Sequence, residues 1–67
     1  MTLLVHPRHM RALKYCARGA RAFFQRHGLD WQRFITTGIP AEELIATGDA
    51  MAAAVVDQAK REEQANG

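Results

Sequence analysis

A chain of 67 residues, of which 48% are hydrophobic and 24% charged, is long enough for one domain only and too apolar for a disordered polypeptide. No stretch reaches the roughly 20 apolar residues that span a bilayer, and a single cysteine excludes an internal disulfide, so we expect a cytoplasmic protein with no membrane partner. The net charge of +2 conceals an asymmetry: residues 1–34 carry seven Lys or Arg and one acid, whereas residues 35–67 carry two Lys or Arg and six acids.

A long amphipathic helix is predicted from Pro7 to His27, after an N-terminal arm of residues 1–6. His6 has the position of an N-cap, Pro7 suits the first helical position, and Gly28 suits the left-handed residue that ends a helix. At 100° per residue, one broad arc of this helix is apolar, which predicts that it faces the core and that Cys16 is a buried small hydrophobe. The arc contains Met10, Leu13, Cys16, Ala17, Ala20, Phe23 and Phe24.

The other side of this helix carries a basic stripe, which is the most informative functional feature of the sequence. The stripe consists of Arg11, Lys14, Arg18 and Arg21 and is flanked by Arg8, Tyr15 and Arg26. A charged stripe is often only the solvated side of an amphipathic helix. Solvated faces usually mix acids with bases, however, so a stripe of one sign indicates a surface for a protein partner or for the phosphates of a nucleic acid.

Three further helices are predicted, each bounded by a glycine or by a capping residue. The first runs from Asp30 to Thr37, the second from Pro40 to Thr47 and the third from Asp49 to Glu63, and residues 64–67 should fray. No segment has the alternation of a strand. The sequence therefore predicts an all-α fold, a small orthogonal domain of about four helices in the order long, short, short, long, occupying residues 1–67 as a single unit.

Trp31 directly follows the predicted Asp30 cap, on a helix too short to be stable without tertiary contacts. We expect its indole to be largely buried, in contact with Phe24 and Phe34, and to fix the angle between the first two helices.

Neither a metal site nor a catalytic centre is indicated. His6 and His9 are three residues apart, but no Cys, Asp or Glu nearby in sequence completes the ligand set that zinc requires. The predicted burial of Cys16 argues against a thiol nucleophile. We therefore expect no cofactor, no metal and no enzymatic activity.

Three segments, HGLDWQRF, GIPAEEL and ATGDAMA, resemble parts of short proteins encoded by phages and bacterial prophages. These segments are caps, turns and helix faces, so the resemblance implies a cellular context and carries no catalytic or binding residues. It implies an accessory or assembly protein acting inside a bacterial cell.

Two functions remain open from the sequence. The first is a small, non-enzymatic module that binds a protein, which includes another copy of itself, since a core of this size is marginal and a partner commonly supplies further burial. The second is a nucleic-acid-binding protein that uses the basic stripe without sequence specificity.

Overall fold

The computed structural model describes residues 3–66, the last of them by its backbone only. This part of the chain is mostly helical, in agreement with the sequence, and contains five helices and one pair of two-residue strands. In chain order these are β1 (Leu4–Val5), α1 (Pro7–Ala12), α2 (Ala17–Arg26), α3 (Trp31–Thr36), β2 (Ile39–Pro40), α4 (Ala41–Ile45) and α5 (Ala50–Asn66).

The predicted first helix is broken in the middle, which is the main correction to the sequence analysis. α1 ends at Ala12, and Lys14 takes a left-handed conformation with φ of 62°. The N–H of Lys14 donates to the carbonyl of Arg11 at 2.9 Å, and the N–H of Tyr15 donates to the carbonyl of Met10 at 3.2 Å. These two bonds form a Schellman motif, the ordinary end of a helix, here with lysine in the place that glycine usually takes.

The predicted caps of the helices are confirmed at three positions. His6 is the N-cap of α1, and Asp30 caps α3 by accepting a hydrogen bond from the N–H of Arg33 at 3.0 Å. Gly28 follows α2 in the left-handed region, with φ of 67°. The last helix extends through Asn66, three residues beyond its predicted end.

Leu4 and Val5 of the N-terminal arm form a strand, although the sequence predicts none. Val5 pairs with Ile39 and Leu4 with Pro40 in an antiparallel register, and the carbonyl of Leu3 accepts from the N–H of Ala41 at 2.9 Å. Val5 and Ile39 are both fully buried, so the pair ties the start of the chain to the entrance of α4 and contributes to the core.

α5 is the element against which the N-terminal strand and two of the helices pack. α1, α4 and β1 lie along it. Its buried residues, Ala52, Val55, Val56 and Ala59, follow the i, i+3, i+4, i+7 spacing of one helix face. Met51, beside Ala52, is not part of this face, since its side chain is 55% exposed.

Three aromatic rings join α2 to α3. The ring of Phe24 lies 5.2 Å from that of Trp31, edge to face, and 4.7 Å from that of Phe34. Phe24 and Phe34 are buried, whereas Trp31 is only partly buried. The predicted contacts of Trp31 are therefore confirmed, but part of its ring remains accessible.

Candidate interaction surfaces

The break after α1 changes how the predicted basic residues are arranged. Arg8 and Arg11 lie on α1, Lys14 lies in the turn, and Arg18, Arg21 and Arg26 lie on α2. All six are exposed and Tyr15 is partly buried, but they do not form one stripe along a single helix. The predicted geometry of the basic stripe is thus wrong, because it required a continuous helix from residue 7 to residue 27.

Most of these cations have no acidic neighbour. Nε of Arg8 lies 3.5 Å from Oε1 of Glu62. Within residues 3–66, the other five predicted surface cations lie within salt-bridge distance of no carboxylate. The surface formed by α1, the turn and α2 is therefore positive, since the sequence places no acid before Asp30.

An open depression, which we call the apolar groove, lies between α2 and the first half of α5. Its volume is about 390 Å³. One wall is the face of α2 formed by residues spaced i, i+3, i+4 and i+7, and the other is the start of α5, while buried side chains form the floor. The walls are Cys16, Gly19, Ala20 and Phe23 on one side and Met51, Ala52 and Val55 on the other, and the floor includes Met10, Phe24, Phe34 and Leu44.

Cys16 lines this groove. The sequence predicts instead that it is buried in the core. It is exposed and is the N-cap of α2, and its Sγ accepts a hydrogen bond from the N–H of Gly19 at 3.3 Å. α1, which was predicted to continue through Cys16 and to place it on the core side, ends four residues before it. Cys16 therefore stands at the start of α2.

The charges at the rim of the apolar groove are unequal. Lys14 and Arg26 stand at its α2 side, and Asp49 stands at the start of α5. Oδ2 of Asp49 accepts the N–H of Ala52 at 3.0 Å. The charge of Asp49 is thus partly used to cap α5, whose N-terminal end attracts a negative charge. The two cations face solvent without such a partner.

A second depression, the basic groove, lies between α1 and α3 and has a volume of about 610 Å³. Two arginines, two aromatic rings and an exposed isoleucine are among the residues that line it. They are Arg8, Arg11, Tyr15, Trp31 and Ile35, together with His6, Pro7, Met10 and Ala17. The arginines and Tyr15 are residues that the sequence predicts for the basic surface, whereas Trp31 and Ile35 are not, because the sequence does not show that α3 lines the same groove as α1.

His9 is the one buried titratable side chain among the described residues, with a relative exposure of 2%. Its Nδ1 accepts the N–H of His6 at 2.9 Å, and its Nε2 lies 3.6 Å from Oε1 of Glu62. Burial lowers the pKa of His9, although the carboxylate of Glu62 acts in the opposite direction. A neutral His9 with its proton on Nε2 satisfies both contacts and joins the start of α1 to the last turns of α5.

The pKa of Glu62 is also lowered, chiefly by the side-chain hydrogen bond from Gln58, whose Nε2 lies 3.0 Å from Oε2 of Glu62. His9, Glu62 and Gln58 together form a structural contact between α1 and α5. Within residues 3–66, no three His, Cys, Asp or Glu side chains stand close enough to share a metal ion.

Comparison of the chain with models of known families, with curated proteins and with solved structures finds no match. None of the helices described for residues 3–66 combines the length and hydrophobicity needed to cross a bilayer.

Proposed function

We propose that this chain is a small, non-enzymatic module that binds a protein through the apolar groove, in an accessory or assembly role of the kind that the resemblance to phage-encoded proteins implies. The observation that carries the proposal is an apolar depression of about 390 Å³ in a domain of only 67 residues. Depressions of this size, lined by apolar side chains with few polar groups, are typical of binding sites.

The exposure of the groove residues supports a role in binding. Cys16, Gly19 and Met51 are exposed, and Ala20 and Phe23 are only partly covered. A domain with so small a core gains by burying such side chains, and contact with a partner would remove their apolar area from water at about 25 cal/mol per Å².

The test uses isotope-labelled protein and helix-forming peptides with leucines at i, i+4 and i+7. We expect amide shift changes at Gly19, Ala20 and Met51. Gly19→Leu fills the groove and should abolish the changes, whereas the matched Gly19→Ala should preserve them, since a Cβ there meets only Sγ of Cys16, at 3.3 Å. Shifts spread over other surfaces, or no shifts with any peptide when the native protein is a monomer, would refute the proposal. Sedimentation equilibrium of both variants shows whether the partner is a second copy.

Nucleic-acid binding is the second candidate, and the basic groove favours single strands over duplexes. Arg8 and Arg11 can contact phosphates, and Tyr15 and Trp31 offer ring faces against which bases stack, which is how single strands are bound without sequence preference. Arg18 and Arg21 on α2 add positive charge nearby.

Single-stranded oligonucleotides titrated at two salt concentrations test this second candidate. Binding should quench Trp31 and weaken with salt, because each neutralised phosphate releases counterions. Arg8→Gln with Arg11→Gln should abolish binding, whereas Lys60→Gln with Arg61→Gln, which removes equal charge from α5, should not. An unchanged Trp31 signal at low salt would eliminate the candidate.

A further inference from the structure

The dimensions of the apolar groove indicate what kind of segment it accepts. α2, which forms one wall, has ten residues and is about 15 Å long at 1.5 Å per residue. On a bound helix, apolar residues at i, i+4 and i+7 extend over about 10 Å. A helix of two to three turns thus presents all its apolar residues within the length of the wall.

The walls also exclude the other common mode of peptide binding. An extended peptide adds to a sheet through the free N–H and C=O groups of an edge strand. Both walls here are helices, whose backbone groups bond within the helix. The walls thus offer no edge strand for an added strand to pair with, and side chains must make most of the contact, which favours an amphipathic helix over an extended segment.

The charged residues at the rim of the apolar groove indicate which charge a bound segment should carry. Lys14 and Arg26 stand on the α2 side without an acidic neighbour, while Asp49 on the α5 side caps its own helix. A carboxylate of a bound helix would be attracted to the α2 edge and repelled at the Asp49 edge. Charge complementarity of this kind determines the orientation and specificity of a complex more than its affinity.

A second copy of the chain does not fit these requirements. The large apolar side chains exposed within residues 3–66 are Leu4, Ile35, Ile45 and Met51, and they lie on four different elements. On α5, the exposed apolar residues between Asp49 and Asp57 are alanines apart from Met51, and alanines offer little apolar area to a groove. A contact of groove with groove would also gather four cations, Lys14 and Arg26 of both copies, and only two carboxylates, those of Asp49, and such an excess of like charge in an interface is unfavourable.

We propose that the apolar groove binds a short amphipathic helix of a different protein, with carboxylates along the edge that faces Lys14 and Arg26. This inference rests on the proposed protein-binding function and adds the charge and secondary structure of the partner.

The test compares two 18-residue helix-forming peptides that share the same leucines and differ only in whether Glu or Lys flanks them. The protein variants are Lys14→Asn with Arg26→Gln, at the rim, and Lys60→Gln with Arg61→Gln, on α5. Both variants remove two positive charges, and asparagine tolerates the left-handed conformation of residue 14. Circular dichroism of each variant verifies folding before binding is measured.

We expect the Glu peptide to bind the native protein about tenfold more tightly than the Lys peptide at low salt, which corresponds to two exposed ion pairs. The rim variant should remove that preference, and the α5 variant should retain it. Equal binding of both peptides would overturn the acidic helix while leaving the protein-binding function intact. If the native protein is a monomer, binding of neither peptide would overturn both proposals. A native dimer that Gly19→Leu dissolves would identify a second copy as the occupant of the groove and would overturn this inference alone, whether or not the peptides bind.

Discussion

Replacing Lys14 by glycine tests the break between α1 and α2 directly, because the two arrangements of residues 7–27 predict opposite signs. Lys14 has φ of 62° and lies outside any helix, at the left-handed position of a Schellman motif. Residues other than glycine pay about 1 to 2 kcal/mol for this conformation. In a continuous helix, by contrast, glycine would be the unfavourable residue.

The expected gain in stability is the strain that is removed minus the cost of the extra backbone entropy that glycine loses on folding. That entropy cost is about 0.5 to 1 kcal/mol. We therefore expect Lys14→Gly to raise the free energy of unfolding by about 0.7 kcal/mol, the middle of a range from about 0 to about 1.5 kcal/mol. For a domain of this size, 1 kcal/mol moves the melting temperature by about 4 to 8 °C. In a helix extending from residue 7 to residue 27, the same change would lower stability by about 1 kcal/mol.

Thermal and urea unfolding, followed by circular dichroism, measure the difference. Arg21→Gly is the matched control, since it also removes one exposed cation, but from the middle of α2, and it should lower stability by about 0.7 to 1 kcal/mol. If both glycine variants lose stability equally, the chain does not break at Lys14, and the positions of both grooves are wrong.

Three further predictions concern the core and its pH dependence. The folded state lowers the pKa of His9 below 6.5, so the unfolded state binds more protons and stability should fall as the pH drops below 6.5, by at most about 1.4 kcal/mol per pH unit. His9→Gln, which keeps an acceptor for the N–H of His6, should remove that contribution when urea unfolding is measured as a function of pH. Phe24→Ala should cost about 3 to 5 kcal/mol in urea unfolding, and Trp31→Ala less, because the indole is partly exposed. Gly38→Ala should lower the melting temperature by several degrees more than Gly19→Ala changes it, since φ is 89° and a Cβ would lie 2.7 Å from the ring of His6.

Features that depend on local chemistry could be predicted from the sequence. Asp30 caps α3 because its carboxylate accepts a nearby N–H, and Gly28 follows α2 because glycine takes positive φ at little cost. The inward face of α5 likewise follows from the spacing of its apolar residues, with the exception of Met51. Such signals extend over one or two turns, which is the range in which they are reliable.

The break at Lys14 and the strand pair depend on contacts distant in sequence. Nothing local prevents residues 13–16 from continuing a helix, and the same Schellman bonds that Gly28 makes are made here by a residue with no preference for positive φ. Val5 and Ile39 form a strand pair because both are buried, not because two residues carry a strand pattern. Both grooves depend on the break at Lys14. The sequence therefore predicts the basic residues that line them, but not the shape of either groove.

Lys14 has two roles in these proposals, and one substitution separates them. It holds a strained turn, and it provides one of the two cations at the rim of the apolar groove. Lys14→Gly should therefore yield a more stable protein that binds the Glu peptide about threefold more weakly, the effect of one exposed ion pair. A loss of function that accompanies a gain in stability is common where a binding site retains an unfavourable conformation. If the variant binds the Glu peptide more tightly as its melting temperature rises, rigidity of the turn matters more than the charge of Lys14, and the acidic edge assigned to the partner helix is wrong.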